Sequence, residues 1–298
     1  MIQTIGQIKN ILLPTDFSDV SEKALDFAIG IAKYHNAKIT VTNTFYIPVF
    51  TGAEMQPILP QVFFDEGEEI SLKGLKNVCD RIKKETSLSG ANLITDHIYR
   101  YDTASHEIVE LTKEMSFDLL IMGTTGSDNL LGFFESVTLD VVAEIACPIL
   151  IVKLNSFFNP FRNVYYALKD INRDFFSTIN LVSLVRPFNA MITILHSTES
   201  KNIQLATDNN EAKEEEYFIL VKAIKDYTNY NRIKQETVYD DKSGHTLNEN
   251  LKMKEIDLLV LLKHENHGII GLFHQSFIKH FLKFSNTPLL IMHRNIGR

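Results

Sequence analysis

The chain has 298 residues, 45% of them hydrophobic and 22% charged, which is enough for about two globular domains with ordinary cores. The formal net charge of −7 argues against a general nucleic-acid-binding or membrane-surface protein. No apolar run is long enough to span a bilayer, the N-terminus does not resemble a signal peptide, and two cysteines make no disulfide framework. A cytoplasmic protein without nucleic-acid or membrane partners is therefore expected.

Strands and helices alternate through the first half of the chain. Apolar residues recur with the period of an amphipathic helix in Ser21–Tyr34, and Lys38–Phe45 is a β-branched strand. Residues 47–63 contain three prolines and are predicted to form an irregular, ordered flap over the cleft or the facing domain. The strands are predicted at Asn10–Leu13, Lys38–Phe45, Ile94–Tyr101, Leu119–Met122 and Ile149–Leu154, and the helices at Ser21–Tyr34, Asp65–Glu85, Ser105–Met115 and Val137–Ile145.

The second half repeats this pattern after a linker at Asn155–Arg162. Both copies contain an Asp followed by a buried-strand pattern, a polar loop, a helix and a proline-led apolar strand, and the first copy has one residue fewer between the Asp and the Pro. The repeated strands are predicted at Asn163–Leu168, Met191–His196, Ile233–Tyr239, Leu258–Leu262 and Leu289–His293, and the helices at Ile171–Leu184, within Asn202–Asn231, and at Leu247–Met253. Two α/β domains, 1–154 and 160–298, are predicted.

Alternating strands and helices imply a parallel sheet with helices on both faces. Right-handed crossovers favour a flavodoxin-like or Rossmann-like fold, and we predict five strands per domain in the order 3-2-1-4-5. In such a sheet ligands bind beyond the carboxyl ends of the strands, where the strand order reverses. The loops at this point in the first copy are Pro14–Ser18 and Met122–Glu135.

Both loops carry residues suited to a nucleotide. Asp16 is the acid of the first loop, and a carboxylate there accepts hydrogen bonds from a ribose or an adenine-like group, although a capping aspartate fits the same position. The second loop, GTTGSDNLLG, has closely spaced glycines, which allow backbone N–H groups to approach phosphate at a helix N-terminus. A glycine pair of this kind also occurs in ordinary turns.

Three segments, NILLPTDFS, DLLIMGTTG and SVTLDVVAEIACPILIVK, give the chain its resemblance to a tandem universal stress protein over nearly its whole length. The nucleotide-binding branch of that family has an Asp after the first strand and a loop of pattern G-x2-G-x9-G-(S/T). The resemblance implies ATP or AMP as the bound nucleotide and no metal. It implies as site residues Pro14, Thr15, Asp16, Val41, Met122, Gly123, Thr124, Gly126, Ser136 and Val137.

The match to this loop pattern is incomplete. Counting back from Ser136, the position of the third glycine is Glu135, and the loop is one residue short. A carboxylate close to phosphate weakens binding by on the order of 1–4 kcal/mol, depending on solvent exposure. Nucleotide binding in the first copy is therefore expected to be weak.

The second copy departs further from the pattern. Lys169 replaces the loop Asp, Ile194 replaces Val41, and the three glycine positions hold Leu262, Glu265 and Gln275. No nucleotide is expected there. His264 and His267 are three residues apart, but no third ligand lies within sequence reach, so no zinc site is predicted.

The resemblance implies a non-enzymatic stress-response protein. Two alternatives remain open, a scaffold that binds no nucleotide and an enzyme that hydrolyses ATP or transfers an adenylyl group. In single-domain relatives the last strands of two protomers pair. Here Ile149–Leu154 and Leu289–His293 are expected to pair antiparallel within one chain as an intramolecular pseudo-dimer. The sequence leaves open whether the chain also forms a homodimer.

Overall fold

A computed structural model describes residues 7–45, 61–88, 90–91, 93–124, 133–145, 147–168, 175–199, 207–240, 251, 254–263 and 285–293. Most of the expected flap at 47–63 and most of the helix expected at 247–253 lie outside this part of the chain. Gly126 and the positions equivalent to it in the second copy lie outside it as well.

Ten strands form one continuous sheet in the order β3-β2-β1-β4-β5-β10-β9-β6-β7-β8. Each half is parallel throughout and has the predicted order 3-2-1-4-5, so the flavodoxin-like prediction is confirmed. The strands are β1 (Asn10–Pro14), β2 (Lys38–Phe45), β3 (Thr95–Tyr101), β4 (Leu119–Thr124), β5 (Ile149–Lys153), β6 (Asn163–Leu168), β7 (Met191–Glu199), β8 (Ile233–Asp240), β9 (Leu258–Lys263) and β10 (Leu289–His293).

Helices cover both faces of the sheet. The described helices are α1 (Asp19–His35), α2 (Gln61–Leu88), α3 (Ala104–Glu114), α4 (Phe133–Glu144), α5 (Phe175–Val185) and α6 (Thr207–Thr228), and a 3₁₀ turn (Arg186–Phe188) follows α5. One core layer lies beneath α1, α2, α5 and α6, and the other beneath α3 and α4. Both layers contain residues of both halves, because the central strands are apolar on both faces. Among the described residues, no helix has the length and hydropathy needed to cross a membrane.

The duplicated aspartates have a structural role in both halves. A carboxylate oxygen of Asp118 accepts hydrogen bonds from the backbone N–H groups of Lys9 and Asn10, at 2.8 and 2.9 Å. The Asp257 carboxylate accepts the equivalent pair from residues 162 and 163, at 2.8 and 2.7 Å. Each aspartate therefore fixes the start of the first strand of its half against the fourth, which explains why both copies carry it.

The two halves meet at their last strands. β10 pairs antiparallel with β5 through Leu289–Ile151, Leu290–Leu150 and Ile291–Ile149. Next to this ladder the Ser156 hydroxyl donates to the Asn286 carbonyl at 2.7 Å, which ties the connecting segment to the second half. Two strand edges that would otherwise be exposed are thereby covered.

The segment expected to be a linker is packed rather than loose. Four rings, which we call the phenylalanine cluster, join the first half to the second: Phe27 of α1, Phe158 and Phe161 of the connecting segment, and Phe188 of the 3₁₀ turn. Neighbouring rings lie 5.1–6.4 Å apart between centroids, mostly edge to face. Phe158 lies so close to α1 that a Cβ on Gly30 would overlap its ring.

A buried histidine joins the halves beside this cluster. The ring of His35, at the end of α1, is 1% exposed, and its Nε2 lies 2.9 Å from the Leu184 carbonyl of α5. Its Nδ1 accepts a hydrogen bond from the Ile8 backbone N–H at 3.3 Å. Because one nitrogen faces an acceptor and the other faces a donor, the neutral tautomer satisfies both contacts. Burial lowers the pKa of His35, and the bond to Leu184 opposes this only in part.

This histidine is expected to make the protein sensitive to acid. Because its pKa is lower in the folded than in the unfolded chain, its contribution is complete above the unfolded value of about 6.5 and is lost as the pH falls through the folded value. Wild type should therefore lose more stability than His35→Gln between pH 7.5 and pH 5, as measured by urea unfolding. His106→Gln, which alters an exposed histidine, should follow wild type, and equal acid sensitivity in all three proteins would contradict the assignment.

Several element boundaries differ from the sequence-based expectation, and three of the differences lie near the loops at which the strand order reverses or in the expected flap. β4 does not end at Met122, because Gly123 and Thr124 continue its ladder with Val152 and Lys153 of β5. α4 begins at Phe133 rather than Val137, so Glu135 and Ser136 belong to its first turn. α2 begins at Gln61, so the predicted irregular region ends before that residue.

Candidate functional site

The loop after β1 lies where the strand order reverses, between β1 and β4. Thr15 is buried, and its backbone N–H donates to the Thr42 carbonyl at 2.8 Å. Its hydroxyl donates to the Ser21 hydroxyl at 3.0 Å. Ser18 is the N-cap of α1 and accepts from the Ser21 N–H, and Asn36 ends the helix in the left-handed conformation. The loop thus connects β1 directly to the start of α1.

Asp16 is the exposed acid of this loop. One of its carboxylate oxygens accepts hydrogen bonds from the Ser18 N–H at 3.1 Å and from the Ser18 hydroxyl at 2.6 Å. This contact holds the side chain in one orientation next to the start of α1. The lone pairs outside these two bonds suit a hydroxyl or amino donor of a ligand, because an ionised carboxylate has about four acceptor positions. Asp16 therefore shapes the loop and has acceptor positions that these two bonds do not use.

Phe17 has a backbone conformation that a bulky residue rarely adopts. Its φ is +62°, in the left-handed region, which costs a non-glycine residue on the order of 1–2 kcal/mol. Its N–H donates to the Thr15 hydroxyl at 3.0 Å, and its ring packs against α2 where Gly74 leaves room for it. Strained residues of this kind concentrate at binding sites. Sequence analysis did not single out Phe17, because its strain becomes visible only once the loop is folded.

Two β2 residues lie beside the loop. Val41 pairs with Leu13 and with His97, and its side chain is completely buried in the core. The side chain is therefore not open to a ligand, but the contact implied by the family resemblance is one with the backbone of this residue, which the burial of the side chain does not test. Asn43 donates from its side-chain amide to the Thr15 carbonyl at 2.7 Å, so it has a structural role, as expected from the sequence.

The end of β4 lies on the other side of β1 from β2 and forms the second wall of the candidate site. Met122 is buried in the core layer beneath α3 and α4. Gly123 lies against α1, where an added Cβ would be 2.6 Å from the Val20 carbonyl oxygen and 2.8 Å from Val20 Cγ2. The glycine is therefore required by the close approach of strand and helix, a reason independent of any phosphate.

Two threonine hydroxyls near this wall are buried without a hydrogen-bond partner among the described residues. They are Oγ1 of Thr42 and Oγ1 of Thr124. Because Val41 and Gly123 face α1 and α2, both threonines face the opposite side of the sheet, on strands that flank β1. An unpaired buried hydroxyl costs about 1–3 kcal/mol. Neither hydroxyl is open to a ligand in this conformation, because both residues are at most 1% exposed.

The remaining predicted residues lie on α4 or outside the described part of the chain. Val137 is half-buried and packs against the layer beneath α3 and α4. Ser136 lies in the first turn of α4, but its side chain is not among those described, and Gly126 lies in the undescribed loop before that helix. Pro14 is the last residue of β1 and is half-buried.

Comparison with known proteins identifies the family. The family model described as "Universal stress protein family" matches residues 7–153. A universal stress protein of Methanocaldococcus jannaschii is 32% identical over 153 residues, which cover 49% of this chain and 82% of the relative. The chain belongs to the universal stress protein family. Universal stress protein YxiE of Bacillus subtilis is 30% identical over 147 residues, or 48% of this chain and 97% of the relative.

A solved universal stress protein extends the similarity to the whole chain. The crystal structure of a universal stress protein from Archaeoglobus fulgidus aligns with 97% of this chain and 97% of its own, with a TM-score of 0.70 and 16% identity. At this identity the likeness concerns the fold alone. A universal stress protein fold spanning all ten strands is therefore known from another protein.

The C-terminal half of this universal stress protein differs at the equivalent of the β4 wall. Leu262 stands at the position of Gly123 and is buried in the core with 4% exposure. Lys263 stands at the position of Thr124 and contacts the first half of the chain. The second half therefore has long side chains where the first has a glycine and a threonine.

One group of side chains in the described part of the chain has the composition of a metal site. Asp102, His106 and Glu107 each place one ligand atom within 4.8 Å of the others, after β3 and in the first turn of α3. The positive end of the α3 dipole disfavours a cation there. Arg100 also lies 3.7 Å from the Glu107 carboxylate. The group is two strands away from Asp16 and does not contribute to the candidate site.

Proposed function

We propose that this universal stress protein is a non-enzymatic cytoplasmic stress-response protein that binds an adenine nucleotide, AMP or ATP, weakly in one domain. The binding domain comprises residues 1–154. A second domain, residues 160–298, holds no nucleotide and has a structural or partner-binding role. The expected site residues are those of the β1 loop, the β4 end and the first turn of α4.

The observation that carries this proposal is the position of Asp16. Its exposed carboxylate lies at the reversal of strand order, held by Ser18 at the N-terminus of α1. This is the place where open parallel sheets bind their ligands. A carboxylate there accepts hydrogen bonds from a ribose hydroxyl or an adenine amino group.

The first turn of α4 determines which nucleotide binds better. Glu135 lies in this turn. A carboxylate at a helix N-terminus interacts favourably with the helix dipole, and it competes with a phosphate group for the same positive N-terminal end. The repulsion grows with the number of phosphate charges. AMP is therefore expected to bind at least as tightly as ATP, in contrast to a site built around a triphosphate.

The second domain completes the sheet. The antiparallel pairing of β5 with β10 supports the interpretation that the chain imitates a dimer of single-domain relatives. Leu262 and Lys263 at the equivalent of the β4 wall support the view that this domain does not bind nucleotide. Its surface is then available to a partner or to a second copy of the chain.

A scaffold without any ligand is the second candidate function. Glu135 and the short glycine loop favour it for the first domain, and Leu262 favours it for the second. An enzyme that transfers phosphoryl or adenylyl groups needs a cation beside the phosphates. Residues 14–18 and 122–135 contain no Lys or Arg, which argues against such chemistry.

Calorimetric titration of the full-length protein with AMP, ADP and ATP tests the proposal. Wild type should bind AMP in the high micromolar to millimolar range, and Asp16→Ala should weaken binding at least about tenfold, because a charge-assisted hydrogen bond is lost. Glu135→Gln should tighten ATP more than AMP, because it removes the repulsion from phosphate.

Ser18→Ala is the matched control. It breaks the same contact within the loop and removes the N-cap but leaves the Asp16 carboxylate in place, so it should retain most of the affinity. Equal losses in both variants would assign the effect to loop shape instead of the carboxylate. If wild type binds none of the three nucleotides at millimolar concentration, the scaffold function replaces the proposed one.

A further inference from the structure

A lysine of the C-terminal half reaches across the molecule to the end of α4. Lys263 is the last residue of β9, and its Nζ donates to the Val142 carbonyl at 3.0 Å and also to the Ala143 carbonyl. Both carbonyls belong to the last turn of α4, in the N-terminal half. The final carbonyls of a helix lack partners within it, and its C-terminal end attracts positive charge. Lys263 therefore caps a helix of the other half.

The position of this lysine in the duplicated frame is informative. Counted from Asp118 and Asp257, Lys263 is the equivalent of Thr124, the residue at which the first copy enters its glycine loop. Thr124 is the last residue of β4, which pairs with β5, and Lys263 is the last residue of β9, which pairs with β10. β5 and β10 in turn pair with each other where the two halves meet. The second copy thus places a long cation where the first copy places a small hydroxyl.

The other end of α4 belongs to the candidate site. α4 has 12 residues, or about 18 Å of rigid helix, and its first turn contains Glu135 and Ser136. Val141 and Val142 bury the rest of the helix against the sheet. A cap at the last turn fixes the helix along its axis and therefore fixes where its first turn lies.

We propose that Lys263 is a positioning residue through which the C-terminal half holds α4, and with it the phosphate-facing end of the site, in place. The effect on ligand affinity rests on the function proposed above, whereas the anchoring of α4 does not. The second copy, which lacks the glycines of the first, then supports the site of the first copy through Lys263.

Hydrogen exchange and calorimetry on the full-length protein test this together. Lys263→Met keeps the length of the side chain but removes the charge and the donors. It should raise the exchange rates of α4 amides about tenfold relative to those of α1 and weaken AMP binding by a similar factor, because two charge-assisted hydrogen bonds are lost. Lys263→Arg should restore most of both, since it keeps the charge and can donate to two carbonyls.

Lys254→Met is the matched control. Lys254 lies in the same half and pairs with Glu236, and among the described residues it has no hydrogen bond or ion pair with α4, so its loss should leave α4 exchange and AMP affinity unchanged. Unchanged α4 exchange in Lys263→Met, or a rise shared equally by all helices, would overturn the proposal. If wild type binds no nucleotide while α4 exchange still rises locally in Lys263→Met, the proposed function fails and the anchoring of α4 stands.

Discussion

Phe158→Ala is expected to lower the free energy of unfolding of the whole protein by about 3 kcal/mol, as measured by urea denaturation. Its ring lies 5.5 Å from Phe27 of the first half and 6.4 Å from Phe188 of the second, between centroids. Its loss leaves a cavity at the junction and removes edge-to-face aromatic contacts. Because both halves contribute to this cluster, the transition should remain single but move to lower urea.

The neighbouring phenylalanine offers a control. Phe157 is 70% exposed, and its ring contacts only the ammonium group of Lys23 among the aromatic and cation–π contacts of the described residues. Phe157→Ala should change the stability by less than about 1 kcal/mol. A similar loss in both variants would show that the connecting segment contributes through its general composition rather than through the phenylalanine cluster.

A double-mutant cycle with Gly30 sharpens this test. In the interior of a helix, Gly→Ala normally stabilises by about 1 kcal/mol. Here an added Cβ would overlap the Phe158 ring, so Gly30→Ala should destabilise the wild type. In the Phe158→Ala background the space is free, and the same change should become stabilising. Additive effects would contradict direct packing of the ring on the helix.

Gly123→Ala is expected to be the second large change, with a loss of about 2–3 kcal/mol. The new methyl group would lie 2.6 Å from the Val20 carbonyl oxygen, and a backbone atom cannot rotate away as a side chain can. α1 and the end of β4 must then move apart. Thermal or urea unfolding measures the loss, and the proposed nucleotide affinity should fall with it, because the Asp16 loop leads directly into α1.

Gly90 provides the comparison for this prediction. Its φ is +76°, and nothing lies within 4 Å of the position of a Cβ, so it is sensitive to conformation but not to space. Gly90→Asn should be nearly neutral, because asparagine tolerates the left-handed region. A stable Gly123→Ala protein would mean that α1 does not approach β4 as closely as described.

Much of the fold was predictable from sequence because buried parallel strands are apolar on both faces. Asn10–Leu13, Leu119–Met122 and Ile149–Leu154 read as short apolar runs, and helices with a 3.6-residue period separate them. The repeated Asp and Pro indicated that the pattern occurs twice, so the strand order expected for a flavodoxin-like fold applied to both halves, and the sheet confirms it. The boundaries were less accurate, because a glycine and a threonine at the end of β4 resemble a loop in composition while their backbones still pair.

The site was predictable only in part. Asp16 and the end of β4 follow from the topology, which states where a parallel sheet binds ligands. Three features could not be predicted: the left-handed backbone of Phe17, the packing of its ring against Gly74, and the hydrogen bonds of Lys263 to α4. They depend on distances between elements that are far apart in the chain. Hydrophobic periodicity carries no information about such contacts. In the sequence Gly123 was interpreted as a glycine of a phosphate-binding loop, whereas in the structure it allows α1 to pack closely against β4.

The pairing of β5 with β10 also determines which strands lie at the two edges of the sheet. Since β5 and β10 cover each other, the margins of the molecule are β3 and β8, at opposite ends of ten strands. These outer strands carry charged side chains, among them Asp96 and Arg100 on one and Lys234 and Glu236 on the other. Charges on outer strands discourage the addition of another chain by backbone pairing. These charges thus disfavour the addition of a further strand at either end of the described sheet.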